Sequence, residues 1–170
     1  FDVSGYRPRD ELIAMMHAEP GFQAVRVSLR DDVTTVVLTV RHDGPVPLNN
    51  VAAQQDLLRE RLAGAGWETP AMLEAMPTAT NFYFDAVSQI HMPSSTRGRV
   101  ALVGDAAACP SLLAGQGSAL AMVESYVLAA ELATAHGDHG RAFARYQARL
   151  APFLRSKQAA ARGLGLAFAP

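Results

Sequence analysis

Residues 98–125 read GRVALVGDAAACPSLLAGQGSALAMVES. An uninterrupted apolar run, VALV at 100–103, stops at Gly104-Asp105, passes through small residues and Pro110, and enters a long apolar segment through Gly115-Gln116-Gly117. The run suits a strand buried on both faces. The segment from about Ser118 to Ala135 suits a helix, and Gly137 ends it. The carboxyl end of such a strand opens a crevice in α/β sheets. Gly115 and Gly117 lack Cβ atoms, so the backbone there can approach a flat ligand closely. The first-turn N–H groups of the helix lack intrahelical partners and carry partial positive charge, which favours a ligand edge that becomes negative. Asp105, as a carboxylate at the strand end, accepts hydrogen bonds from hydroxyls of a ribose or sugar alcohol. The same residues also read as a plain strand-to-helix connection, with Asp105 as a turn former and the glycines as packing devices.

Upstream, the pattern changes. Residues 22–29 (FQAVRVSL) and 33–40 (VTTVVLTV) alternate apolar and polar and are rich in β-branched side chains, with Arg30-Asp31-Asp32 between them. They predict an antiparallel hairpin with one packed and one wet face. Before it, Arg7-Pro8-Arg9-Asp10 introduces a short helical pattern with Leu12, Ile13 and Met16 on one face, stopped by Pro20-Gly21. After it, Asn49 or Asn50 caps a helix to about Ala63 with Leu57, Leu58 and Leu62 inward, and Thr69-Pro70 opens a second, short helix over 70–76. Residues 81–92 (NFYFDAVSQIHM) predict another strand, with Phe82, Phe84, Ala86 and Ile90 on one side. A last helix begins near Gly140, with Phe143, Tyr146, Leu150 and Phe153 as its buried stripe and Pro152 as a kink or new start. The closing GLGLAFAP reads as a frayed tail. There are no internal repeats.

Composition narrows the function classes. Of 170 residues, 49% are hydrophobic and 18% charged, and the net charge is −1. This is the balance of a globular domain and gives no reason to propose nucleic acid or an anionic membrane as partner. The most apolar stretch, 119–133, is broken by Glu124, Ser125 and Glu131 and is too short to span a bilayer. The single cysteine, Cys109, forbids an internal disulfide and fits a reducing cytoplasm. The chain opens at Phe1 rather than Met, which reads as a piece of something longer.

At 98–125 the chain resembles the second flavin-binding signature of FAD-dependent aromatic-ring monooxygenases, the p-hydroxybenzoate hydroxylase-like group. Gly104, Asp105, Ala106 and Ala107 match its GDAA, Pro110 its proline, and Gly115, Gln116 and Gly117 its GQG; Glu124 stands where the family usually has Asp. The likeness covers most of the chain and is strongest over about 80–150. Two departures are Ala108, where many members have His, and Ala119, where many have Asn. The family's N-terminal GxGxxG, which seats the FAD pyrophosphate, is absent from these residues, as is its middle segment for cofactor and NAD(P)H contacts.

The resemblance implies a mixed α/β fold, the C-terminal part of that FAD fold. Residues 1–93 would belong to the substrate-binding domain with its antiparallel sheet, and 94–170 would supply the strand–loop–helix flavin element. NAD(P)H reduces the FAD in such enzymes, and the reduced flavin with O2 hydroxylates an aromatic or polyketide-like molecule. Asp105 would bond the ribityl chain, the Pro110 backbone would border the ring, and Gly115 to Ser118 would line the pyrimidine edge. Phe82, Phe84 and His91 become candidates for substrate contact, against the plainer reading of a packed sheet face. No residue is required as general acid or base. A related flavoprotein, such as a halogenase or reductase, and a non-catalytic binding or assembly module remain as alternatives. Apolar surface around VALV is expected to be covered by a missing N-terminal FAD-binding segment or by self-association.

Other features take plainer readings. His136 and His139 have no third metal ligand and read as a solvated helix end. Cys109 has no basic neighbour and reads as a small packed side chain. Met72, Met76 and Met92 read as core gap-fillers.

Overall fold

The computed structural model describes residues 1–6 and 13–168. It divides into two compact units, one built on Phe1–Ala86 and one on Val87–Leu166, with the division ahead of the 93/94 boundary read from the sequence.

The first unit holds a four-stranded antiparallel sheet in the order β1-β4-β3-β2, from β1 (Asp2–Ser4), β2 (Ala14–Glu19), β3 (Phe22–Ser28) and β4 (Val33–Val40). The expected hairpin is β3–β4, in register Phe22 to Val40 and Ser28 to Thr34. Its turn works because Asp31 and Asp32 both take positive φ, 57° and 56°, and the Val33 N–H closes onto Arg30 O at 3.3 Å. That is the twist a right-handed hairpin needs.

The helix expected before Pro20 is corrected: 14–19 is strand β2, paired with β3 along its whole length, and Arg7 to Leu12 lie outside the described residues. Pro20 and Gly21 sit at the centre of a hairpin turn, with Gly21 at φ 88°, where a second central residue with positive φ is required. Pro-Gly ends a local element of either kind, and six residues were too few for the period to decide between them.

One face of the sheet carries the core. Helix α1 (Val51–Arg61) is capped by Asn50, whose side chain accepts the Ala53 N–H at 3.1 Å. Helix α2 (Thr69–Ala75) follows, with Pro70 in its first turn. Its cap position is Glu68 rather than Thr69. Leu62 and Met72 pack with Val3, Phe22, Ala24 and Val36. On the same side of β3, Arg26 is fully buried and answered by Glu68 through two hydrogen bonds, with Ser28 Oγ accepting a third. Tyr6 donates to the same Glu68 carboxylate at 3.3 Å. Burial first, and then the Glu68 charge, push the Tyr6 phenol up to about 12.

The second unit is helical around a short ribbon. Strands β5 (Thr96–Arg97) and β6 (Val100–Ala101) pair antiparallel. The expectation of a strand over 100–103 buried on both faces is corrected: only two of its residues are in ladder, and Val100 is 62% exposed. Burial on both faces needs ladder partners and covering layers on both sides, and among the described residues β6 has one short partner. The strand expected over 81–92 is also corrected. Asn81 makes an isolated bridge to Asp2, and no ladder strand forms from 82 to 92.

Beyond the ribbon come the one-turn helix α3 (Asp105–Ala108), a 3-10 turn at Leu112–Ala114, α4 (Gly117–Thr134) and α5 (His139–Phe168). Gly137, at φ 85°, closes α4, as expected from the sequence. Helix α5 runs through Pro152 and on to Phe168, so 163–168 of the segment read as a frayed tail are helical, and 169–170 lie outside the described residues. Its buried stripe is Phe143, Tyr146, Leu150 and Leu154; Phe153 is 40% exposed. Met72 and Met76 are buried as expected, whereas Met92 is exposed.

The buried Arg26 sets a test for the first unit. Glu68→Ala leaves that charge uncompensated and is expected to lower the unfolding free energy by about 3–5 kcal/mol. Asp56→Ala, which removes the exposed pair with Arg59, changes it by about 0.5 kcal/mol or less. Urea unfolding of the two variants checks the contrast.

Candidate functional site

The quoted stretch folds into a turn laid along one face of α4. Gly104 has φ 65° and ψ −144°, a conformation that only glycine adopts without strain. A Cβ there would meet the Ala121 Cβ at 3.1 Å. Its carbonyl accepts the N–H groups of Ala107 and Ala108 at 2.9 and 3.0 Å and so starts α3. Its own N–H points the other way and donates to Glu124 Oε2 at 2.7 Å. Glu124 is 1% exposed. Tyr146, from α5, is equally buried; its hydroxyl donates to Leu102 O at 2.9 Å and lies 3.5 Å from Glu124 Oε2.

The electrostatics follow from burial. Loss of solvent pushes the Glu124 carboxyl above the usual carboxylate range; the Gly104 N–H and Tyr146 O–H oppose that, and the nearby Asp105 charge adds to it. The Tyr146 phenol is pushed up to about 12, by burial and then by the Glu124 charge.

Each residue read as cofactor-binding falls on this turn or on the start of α4. Asp105 is the first residue of α3 and is exposed. A Cβ built on Gly117 would stand 3.6 Å from Asp105 Oδ1, so the carboxylate lies beside the start of α4. Ala106 is exposed; Pro110 is buried. Gly115, at φ 61°, ends the 3-10 turn with open space where a side chain would be. Gln116 occupies the cap position of α4 but no side chain caps the helix. Gly117 is half-buried and Ser118 exposed. The rim thus joins an exposed carboxylate, an uncapped 18-residue helix and backbone without side chains. That donor set fits a ligand with hydroxyls at one end and a flat, electron-accepting edge at the other.

The substrate candidates divide. Phe82 and Phe84 belong to the first unit, half-buried and stacked at 6.5 Å, with Phe82 also stacked on Phe1 at 6.2 Å. His91 belongs to the second unit, is exposed, and bonds Gln89 Oε1 at 3.0 Å.

Sequence reading missed the two glutamines that clamp the turn from behind. Gln89 Nε2 donates to Pro110 O and to Gln158 O, both at 2.9 Å. Gln158, 3% exposed, donates to Ile90 O at 2.7 Å and Cys109 O at 3.4 Å. Their signal is weak: an amide in an otherwise ordinary segment marks no site until the backbone it satisfies is known. Glu124 had a stronger one, as an acid within the most apolar segment of the chain.

No family model matches the chain. A flavin-dependent monooxygenase of Legionella longbeachae serogroup 1 (strain NSW150) is 48% identical to it over 114 residues, 65% of this chain and 29% of that protein. The crystal structure of tetracycline destructase Tet(55) matches with a TM-score of 0.82 at 37% identity, over 92% of this chain and 42% of that one. That of Klebsiella pneumoniae HpxO complexed with FAD and uric acid matches with a TM-score of 0.71 at 21% identity, over 96% of this chain and 42% of that one, and bears on the fold alone. The chain spans less than a third of the length of the first curated relatives it matches.

Gly104→Ala tests whether the turn depends on its glycine. It is expected to cost about 1–3 kcal/mol for the backbone conformation, with the Ala121 contact in addition. Combining it with Ala121→Gly recovers the contact but not the backbone cost, so the double variant stays below wild type in chemical unfolding.

Proposed function

We propose that this chain, which carries the signature and the fold of the FAD-dependent monooxygenases of the p-hydroxybenzoate hydroxylase-like group, is the flavin-holding C-terminal part of an enzyme that hydroxylates an aromatic or polyketide-like small molecule with FAD, NAD(P)H and O2. The observation that carries this reading is the exposed Asp105 held beside Gly117 at the open N-terminus of α4, next to a turn in which Gly115 leaves open space where a side chain would stand. The polyketide class draws on the 37% identity to a protein named as a tetracycline destructase, and FAD on the monooxygenase relatives.

In this reading Asp105 accepts hydrogen bonds from ribityl hydroxyls, the Pro110 backbone borders the ring, and Gly115 to Ser118 face the pyrimidine edge. The N-terminus of α4 favours negative charge at that edge. The bound flavin supplies the electron transfer and oxygen chemistry; the protein supplies position and field. His91 in the second unit, and the stacked Phe82 and Phe84 in the first, remain proposed substrate contacts. A reducing cytoplasm as the compartment is part of this proposal and draws on the lone, half-buried Cys109; among the described residues no helix is long and apolar enough to cross a membrane.

The affinity available here is limited. A charged hydrogen bond from Asp105 contributes about 1.5–3 kcal/mol and a partly buried helix terminus up to about 2 kcal/mol. Their sum falls short of the roughly 8 kcal/mol of a micromolar complex. A partner supplying the pyrophosphate site is therefore part of the proposal. Met122, Val123 and Tyr126, exposed together on α4 at 69%, 43% and 75%, offer a face for that nucleotide-binding segment. Self-association through this face is the competing outcome.

Two measurements test this. FAD titrated against residues 1–170 alone is expected to bind more weakly than micromolar, and addition of the nucleotide-binding segment to restore fluorescence quenching; stoichiometric yellow flavin on the isolated chain contradicts it. In the complete flavoprotein, Asp105→Ala is expected to weaken FAD binding by about 10- to 150-fold, and unchanged affinity and turnover end the reading.

A further inference from the structure

Gly117, Ala121 and Glu124 stand at spacings of four and three on α4, which puts them on one face of the helix, spread over about 10 Å of its axis. The turn lies along that face at all three points. Asp105 Oδ1 is beside Gly117, Gly104 is against Ala121, and the Gly104 N–H is on Glu124. Only the third contact is a directed hydrogen bond to a titratable group. Gly104 is held from both ends, since its carbonyl caps α3 and its N–H is fixed by Glu124. Glu124 anchors the Val103–Gly104 peptide through that N–H, and α3 anchors the Gly104–Asp105 peptide through the carbonyl; with both planes held, the Gly104 dihedrals are set, and with them the direction in which the next residue, Asp105, leaves the turn.

Resting on the flavin reading above, we propose that Glu124 is a positioning residue: its ionised carboxylate fixes the Gly104 peptide, aims Asp105 at the ribityl chain, and makes flavin affinity follow the protonation of Glu124.

The chemistry supports a switch between two bonding states. Ionised, the carboxylate is acceptor-only and makes a charge-assisted bond to the Gly104 N–H. Protonated, it becomes a weaker acceptor both for that N–H and for the Tyr146 O–H, 3.5 Å away, so both bonds that favour the ionised form weaken together. The groups facing Glu124 are few. Asp105 of α3 raises its affinity for a proton, and Tyr146 of α5 lowers it. Among the described residues no Lys, Arg or His forms an ion pair with it. Burial has already moved its titration above the ordinary 4.5. By linkage, if flavin prefers the ionised form, affinity is full above the raised pKa and falls as pH drops through it.

The experiment is FAD affinity by fluorescence quenching, measured from about pH 8 to about pH 5 on the complete flavoprotein. Glu124→Gln keeps the shape and an acceptor but cannot ionise. It is expected to bind FAD about three- to tenfold more weakly than wild type at the alkaline end. Its affinity changes less with pH, so the two curves converge on the acid side. Tyr146→Phe removes the hydroxyl beside Glu124 and is expected to move the acid limb of the profile to higher pH, which provides the test if the Gln variant does not fold. Thermal melts on the same samples separate loss of fold from loss of flavin. Equal affinities at the alkaline end, curves that run parallel, or a Tyr146→Phe limb that does not move overturn the inference. If Asp105→Ala weakens FAD while the Glu124 and Tyr146 variants behave as wild type, this inference alone fails. If wild type binds no FAD, or Asp105→Ala leaves affinity intact, it falls together with the flavin reading.

Discussion

A single backbone N–H, that of Gly104, donating to a carboxylate removed from water, is the constraint around which the second unit is organised. Burying a carboxylate costs several kcal/mol unless hydrogen bonds answer it. Here one N–H and one nearby phenol do so, with no cation in an ion pair among the described residues. The same bond holds the chain, as it leaves β6, in a conformation open to glycine, and the Gly104 carbonyl on the other side starts α3. Ala121 leaves room for the close approach because it ends at Cβ, and Tyr146 closes the far side by tying α5 to Leu102. Removal of any one of these leaves another group unpaired or misplaced.

The first unit handles a buried charge in a different way. Arg26 sits on the core face of β3, where an apolar residue would serve, and Glu68 at the mouth of α2 meets it through two hydrogen bonds. Glu68 is 24% exposed, so only one partner is fully desolvated. The pair fixes how α2 meets the sheet, because a buried guanidinium tolerates few positions of its carboxylate. Both units therefore use one buried ionisable group to tie a helix to the chain packed against it.

Fold and site are linked by small residues. Gly104, Ala121 and Gly117 allow α4 to lie against the turn, so an exposed acid and an uncapped helix end come to one rim. Gln89 and Gln158 hold the other side of the turn by bonding carbonyls of Ile90, Cys109 and Pro110. The rim is thus supported from α4 on one side and α5 on the other, which suits a site that must hold a ligand without rearranging around it.

The sequence by itself determined the local signals: the β3–β4 hairpin with its acidic turn, a cap at Asn49 or Asn50, of which the structure uses Asn50, the ends of α4, and the glycines and Asp105 of the turn that resembles a flavin signature. Each depends on residues within a few positions of one another, where propensity, capping and backbone freedom act directly. Only the tertiary structure decided what depends on partners distant in the chain. Residues 14–19 became a strand because β3 was there to pair with them, overriding a short helical pattern. VALV failed to be a fully buried strand, and 82–92 failed to be a strand at all, because alternation and apolar runs describe faces and say nothing of ladder partners. That Glu124 and Tyr146 meet beneath Gly104, and that Arg26 meets Glu68, is also a tertiary fact: the hydrogen bond that makes a buried charge tolerable is supplied by chain far away in sequence, and no local pattern carries its address.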